Sequence, residues 1–211
     1  GKVAVIGLPF AYADRLYNAA LVVYEGVVQG IVLKNDISAN SIINEQRYFT
    51  SGAAFPEATI NFAGAAIPVG TKLVFKFSES LVLGVEIGSD RAGLSSPAVE
   101  LVRAGATVIA NPSADAIIAG EFDLFKQCLV ARSRMLCCMY IYAGSGLGES
   151  TGKVLLSGYT AIVSDGTLVA ENIDFYNPTV ETSFVWHPRW YKALRKQRAG
   201  FNDVARVQQI I

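Results

Sequence analysis

The chain is poor in the side chains that most often bind metals or form disulfides: its 211 residues include one histidine and three cysteines. Neither type shows the spacing of a ligand set, so we predict no metal site. An odd number of cysteines without a secretory leader argues against a disulfide framework and favours a reducing, cytoplasmic setting. Cys128, Cys137 and Cys138 lie in apolar patterns, which predicts core packing for all three and not a relocated nucleophile.

Net charge and long apolar runs are also missing. Lysine plus arginine equals aspartate plus glutamate at 18 each, which predicts no nucleic-acid partner and no membrane partner. No uninterrupted apolar run approaches the roughly 18 residues of a membrane span, so we expect a soluble protein. A hydrophobic content of 52% with 17% charged residues, over this length, predicts one domain with a well-buried core.

The most informative segment is a tight turn at Gly88 between a strand and a helix. We predict a strand over 81–87, a helix that is capped by Ser96, begins at Pro97 and stops at Gly105, and a second strand over 106–110. A turn of this kind places a side chain at the carboxyl end of a sheet beside free backbone N–H groups, and hydrolases put nucleophiles there. Glycine has no side chain with which to attack.

Hydrophobic patterns elsewhere predict a chain made mostly of strands. Further strands are expected over 2–7, 16–24, 27–34, 72–77, 137–143, 159–163 and 167–171, with a helix over 121–135, a polar loop over 35–61 and a basic helix opened by Pro188. A glycine-rich stretch over 144–148 is typical of phosphate loops, but a strand pattern follows it where a helix is required. No dinucleotide site and no other cofactor site is therefore predicted.

The segment GVEIGSDRAGLSSPAVELVRAGATVIANPSA is similar to the cysteine segment of nitrilase-superfamily amidohydrolases, and within them to the glutaminase domain of glutamine-dependent NAD synthetase. Supporting stretches are VIGLPF, LYNAALVVYEGVVQGIVLK, NEQRYFTSG, IPVGTKLVF and AGSGLGESTGKVLLSGYTAIVSDGTLVAE. The resemblance implies an α/β fold, a four-layer αββα sandwich that is incomplete at its N-terminus. Residues 1–175 would form the sandwich core without its first helix and strands, and residues 176–211 a linker and basic helix of the same domain.

The resemblance also implies a catalytic set that this chain carries only in part. Such enzymes use a cysteine nucleophile, a glutamate general base, a lysine that supports the oxyanion and often a second glutamate. Lys34 falls on the lysine and Glu45 on the second glutamate. The cysteine position falls on Gly88, and the general base is expected upstream of Gly1. Two of the four groups are therefore expected to be absent.

The implied glutamine pocket departs from the family as well. Asp115 and Glu121 stand where the glutaminases offer a serine and an arginine, so a bound carboxylate would meet repulsion. Ser89 replaces an acidic residue, Asn40 a tyrosine, and Ala92 an aromatic residue. These changes predict weak binding of free glutamine.

Three hypotheses follow. The first is a nitrilase-fold pseudoenzyme kept for assembly or regulation, which the changes at Gly88, Asp115 and Glu121 favour. The second is a fragment or inactivated form of a glutamine-hydrolysing NAD synthetase, which the expected truncation favours. The third is a hydrolase with another nucleophile, such as Ser89 paired with His187. Nothing in the sequence indicates that these two residues lie close together. We also expect a homo-oligomer, or a partner chain that supplies the upstream elements.

Overall fold

The computed structural model describes residues 1–37, 44–116, 118–149, 154–174, 177, 180–187, 189–198, 201 and 208–210. The predicted pocket residue Asn40 lies outside these ranges, and so does Pro188, which was predicted to open the basic helix.

The first sheet has five strands joined largely by tight hairpins. They are β1 (Val3–Tyr12), β2 (Arg15–Tyr24), β3 (Val27–Leu33), β4 (Thr59–Phe62) and β5 (Ala65–Gly70), in the order β1-β2-β3-β5-β4. The turns Ala13-Asp14, Glu25-Gly26 and Ala63-Gly64 all have positive φ, as two-residue hairpin turns that match strand twist require. β3 is the central strand of this order and pairs in parallel with β5.

The second sheet has seven strands. They are β6 (Leu73–Lys76), β7 (Val82–Val85), β8 (Val108–Ser113), β9 (Met139–Gly144), β10 (Thr160–Ser164), β11 (Thr167–Asn172) and β12 (Gln208–Ile210), in the order β11-β10-β9-β8-β7-β6-β12. The neighbours β7, β8 and β9 run parallel. Their carboxyl ends therefore meet at one edge, where open α/β sheets bind ligands.

Helices connect the parallel strands. α1 (Pro97–Arg103) begins after Ser96, whose hydroxyl accepts the N–H of Ala98 at 3.3 Å, and Gly105 follows it with φ of 108°. α2 (Phe122–Leu136) joins β8 to β9, and α3 (Arg189–Arg195) lies near the C-terminus. The predicted cap, first residue and stop of α1 are confirmed.

Successive side chains of a strand face opposite sides of the sheet and therefore pack into different hydrophobic clusters. Val32, Phe75 and Val85 belong to a cluster between the two sheets, whereas Leu101 and Leu129 of the helices pack on the other face of the seven-stranded sheet. A third cluster covers the outer face of the five-stranded sheet and includes Tyr17, Leu33 and Ile67. The predicted α/β architecture with two stacked sheets is confirmed.

Several elements differ from the sequence-based prediction. β1 runs to Tyr12 and forms a hairpin with β2, while the predicted loop over 35–61 contains two 3-10 turns and the start of β4. These short pieces lack enough periodicity to identify from sequence. The basic C-terminal helix is present, but β12 beyond it was not predicted.

The cysteines are only partly as predicted. Cys137 lies in the cluster between the sheets and Cys138 in the cluster under the helices, so the predicted core packing of these two is confirmed. Cys128 is exposed, which contradicts its predicted core packing. It precedes the buried Leu129 by one position, about 100° around the helix, and so faces solvent. No helix within the described ranges is long and apolar enough to span a membrane.

Candidate functional site

Lys34 brings a cation from the five-stranded sheet to the edge of the seven-stranded sheet. Because Val32 packs between the sheets and Leu33 on the outer face, the alternation turns Lys34 inward as well. Its side chain is almost completely buried and forms an ion pair with Glu45 from the 3-10 turn that follows β3. Asn18 of β2 supports both residues, since its amide donates to Glu45 at 3.2 Å and its carbonyl accepts the N–H of Lys34 at 2.8 Å.

Gly88 lies directly opposite this ion pair. It follows β7 with φ of 54°, a conformation that favours glycine. A Cβ atom built there would lie 3.5 Å from Lys34 Nζ and 3.8 Å from Ser113 Oγ. The structure therefore brings together Lys34, Glu45 and Gly88, the three catalytic positions that the resemblance implies.

Two polar side chains, Asn111 and Asp90, hold the turn around Gly88 in place. The Asn111 amide donates to the carbonyl oxygens of Glu86 and Gly88 at 2.9 and 3.2 Å. The Asp90 carboxylate accepts the N–H groups of Asn35 and Asp36 at 2.9 and 2.7 Å, and so joins the turn to the segment after Lys34. Burial raises the pKa of Asp90 to about 6, against the lowering effect of those two bonds and of Lys34.

Another carboxylate, Glu86, is completely buried directly after β7. It accepts two hydrogen bonds from Arg132 at 2.9 and 3.0 Å and one from Tyr140 at 2.6 Å. The Ser96 hydroxyl that caps α1 donates to it at 2.5 Å. Burial and the neighbouring Glu86 carboxylate raise the pKa of Tyr140 well above its ordinary value, so its phenol remains a donor. The described donors to the Glu86 carboxylate come from different elements, so the network links those elements.

The Asp115 carboxylate lies at the mouth of the site, where its side chain is partly exposed. Its Oδ2 atom accepts hydrogen bonds from Ser113 Oγ at 2.6 Å and Tyr142 OH at 2.9 Å, and Arg91 Nη1 is 2.9 Å away. Arg91 also donates to the Gly88 carbonyl at 2.9 Å. Its guanidinium lies 4.9 Å from the Phe125 ring centroid and 5.8 Å from that of Tyr142. The charge at the mouth is therefore compensated within the chain.

The comparisons with known proteins agree with the fold. No protein-family model matches the chain. Glutamine-dependent NAD(+) synthetase of Mycobacterium tuberculosis (strain H37Rv) is 37% identical over 177 residues, which cover 82% of this chain and 26% of that protein. A carbon-nitrogen hydrolase from Helicobacter pylori G27 superposes with a TM-score of 0.71 and 16% identity, covering 92% of this chain and 65% of the other. Nit3 of Saccharomyces cerevisiae, a member of branch 10 of the nitrilase superfamily, superposes at 0.66 with 16% identity, covering 97% and 66%.

The chain has the nitrilase fold. Its predicted resemblance to the nitrilase superfamily, and within it to the glutaminase domain of glutamine-dependent NAD synthetase, is confirmed. The chain spans about a quarter of the length of the curated relatives that it matches.

The remaining predicted pocket positions of this nitrilase-fold chain are less closely grouped. Ser89 is half-buried in the turn after Gly88, whereas Ala92, Glu121 and His187 are exposed. Pocket roles for Asn40, Ser89, Ala92 and Glu121 stay predictions. The glycine-rich stretch lies beside the site, because the Ser145 N–H donates to the Ser113 carbonyl at 2.8 Å. No cluster of metal-ligating side chains occurs among the residues that the structure describes.

Sequence reasoning missed several residues of the nitrilase-fold site: Asn18, Asp90, Arg91, Asn111, Ser113 and Tyr142. Asp90, Asn111 and Ser113 could have been suspected, because polar residues directly after buried strands of a parallel sheet converge at its carboxyl edge. Nothing local in the sequence distinguishes Tyr142 from an ordinary strand tyrosine.

Proposed function

We propose that this chain is a glutaminase-like nitrilase-fold domain that does not hydrolyse amides and serves as a structural or regulatory module. One observation carries the proposal: Gly88 occupies the turn that faces Lys34, where a Cβ atom would lie 3.5 Å from Nζ. Glycine supplies no thiolate to attack an amide carbon and form an acyl-enzyme. The retained ion pair of Lys34 with Glu45 supports a site that keeps its architecture without its nucleophile.

Other nucleophiles near the turn are poor replacements. The Ser113 hydroxyl donates its proton to Asp115, and no described histidine accompanies it, since His187 is exposed on a separate segment. Burial raises the pKa of the Cys137 and Cys138 thiols, which keeps both in the unreactive form. That all three cysteines are free also supports our proposal of a reducing, cytoplasmic location.

The test is ammonia release from glutamine and from acetamide. Wild-type protein should stay at the background rate, because losing a catalytic nucleophile typically lowers turnover by about 10⁴ to 10⁶. Gly88→Cys should gain a thiol that iodoacetamide modifies, yet no glutamine turnover, because Asp115 and Arg91 are already paired at the mouth. Gly88→Ala is the matched control, since it carries the same backbone strain without a thiol.

A second candidate is a fragment or inactivated form of a glutamine-hydrolysing NAD synthetase. The observation in its favour is 37% identity to such a synthetase over 26% of that protein's length. Under this alternative the pocket still suits glutamine, so glutamine should protect the new thiol of Gly88→Cys from iodoacetamide. Protection would contradict the first candidate, because its altered pocket is predicted to bind free glutamine weakly. Glutamine turnover by the wild type that disappears in Lys34→Met would contradict both candidates.

A further inference from the structure

Three hydrogen-bond donors converge on a single oxygen atom at the mouth of the site. Ser113 Oγ, Tyr142 OH and Arg91 Nη1 all lie within 2.9 Å of Asp115 Oδ2. Convergent donors that include a guanidinium are the arrangement with which proteins bind a carboxylate. We propose that Arg91, Ser113 and Tyr142 form a carboxylate-binding pocket that Asp115 keeps filled, so that the chain blocks its own anion site.

The donors hold their positions without help from Asp115. Ser113 ends β8, pairs with Gly144 and receives the N–H of Ser145 on its carbonyl at 2.8 Å. Arg91 is anchored by its bond to the Gly88 carbonyl and by the Phe125 ring 4.9 Å away. A pocket whose donors are fixed independently of the occupant should survive removal of the occupant.

Tyr142 is likewise fixed and remains a donor. Its ring lies 5.1 Å from that of Phe125 and 5.9 Å from that of Tyr159, centroid to centroid. Burial and the Asp115 carboxylate both raise its pKa above the ordinary value, so the phenol keeps its proton. An arginine cannot lose its proton at ordinary pH. All three groups therefore present hydrogen to a carboxylate over a wide pH range.

Burial differs between the pocket and its occupant. Tyr142 is 3% exposed and Ser113 is 9% exposed, whereas the Asp115 side chain is 29% exposed and that of Arg91 is 15% exposed. Solvent therefore reaches Asp115 more readily than the two donors behind it, Ser113 and Tyr142. Ser113 Oγ also lies 3.8 Å from the Cβ position of Gly88, so an external carboxylate would bind beside the nucleophile position.

Because Asp115 is part of the chain, free carboxylates should compete poorly with it for the three donors. An intramolecular group acts at an effective concentration on the order of millimolar or higher, so a ligand must exceed that level to displace Asp115. The chain would then reject free carboxylate ligands even though it has the donors to bind them. This inference does not depend on the absence of amide hydrolysis, because it concerns binding alone.

The test uses formate as the probe and the whole chain as the protein. We expect Asp115→Ala to bind formate at least about tenfold more tightly than the wild type, by ¹³C NMR titration at constant ionic strength with chloride replaced. Asp115→Asn is the matched control, because its amide fills the same space and should leave formate binding as weak as in the wild type. The double variant Asp115→Ala with Arg91→Met should lose the gain.

Two results would overturn the inference. One is equal formate affinity in the wild type and Asp115→Ala, and the other is an unchanged gain after Arg91→Met. If Asp115→Ala folds poorly, formate should restore its folded fraction by circular dichroism where chloride does not, and Asp115→Ser should show the same dependence. Failure of formate to act on either variant would also count against the pocket.

Discussion

At the scale of single residues, Asp90 joins the turn after β7 to the segment after Lys34. Its carboxylate is fully buried, and burial raises its pKa to about 6 from an ordinary 3.8. The causes act in both directions. Desolvation raises the pKa most and Glu86 adds to it, while the N–H groups of Asn35 and Asp36 and the Lys34 ammonium lower it. The net direction means that ionised Asp90 costs stability.

This direction gives a pH dependence with a definite sign. A carboxyl group with a raised folded-state pKa contributes stability that is present below the unfolded pKa and is lost as the pH rises through about 6. Asp90→Asn removes the titration. The free energy of unfolding of the wild type, minus that of Asp90→Asn, should therefore fall by about 2 kcal/mol from about pH 4 to about pH 7. Urea unfolding at each pH measures it.

The opposite slope would show that the two backbone N–H groups outweigh desolvation. A ¹³C NMR titration of the Asp90 carboxyl group provides an independent check, because a midpoint below 4 would contradict the raised pKa. Neither measurement depends on enzymatic activity.

The residues around Asp115 show which part of the site could not be predicted from the sequence. Lys34, Glu45 and Gly88 are predictable from the sequence because each falls at a catalytic position of a family motif. Arg91 was not, because its role arises from a side chain that turns back over the Gly88 carbonyl and two aromatic rings. Asp115 was predicted to repel a carboxylate, and the structure adds that Arg91 compensates its charge. Such pairings depend on tertiary contacts that no local pattern encodes.

At the scale of elements, the buried Glu86 network connects the residue directly after β7 with α1, α2 and β9. Arg132 of α2, Ser96 before α1 and Tyr140 of β9 all donate to the same carboxylate. α1 was predictable because its cap, first proline and final glycine are local features. The network was not predictable, since Arg132 is 46 residues from Glu86.

Removing Arg132 should therefore be costly. Arg132→Met leaves the Glu86 charge buried without its cation, and we expect the free energy of unfolding to fall by about 3 to 5 kcal/mol. Lys126→Met is the matched control on the same helix, because it breaks the part-exposed pair with Glu171 and should cost about 1 kcal/mol or less. Urea unfolding measures both. Equal losses would mean that Glu86 is not held by Arg132 in solution.

At the scale of the whole molecule, the two sheets differ in how they are covered. α1 and α2 pack on the seven-stranded sheet, while the outer cluster of the five-stranded sheet contains no helical residue among those described. β1 is the edge strand of that sheet, and Ile6 in it is 51% exposed. A ten-residue edge strand of this kind can add a strand from another chain.

We propose that this edge mediates self-association. Pro9 has no N–H to donate, so pairing with a second copy is expected only over residues 3–8.

Light scattering at micromolar concentration should give a mass above the 22.6 kDa of one chain. Ile6→Lys should shift the mass towards the monomer, because a charge on an edge strand opposes pairing. Met135→Lys, at a 78% exposed position on α2, is the control and should have no effect. A wild type that remains a monomer would refute the proposal, and dissociation by Met135→Lys alone would place the interface on the helical layer instead of on β1.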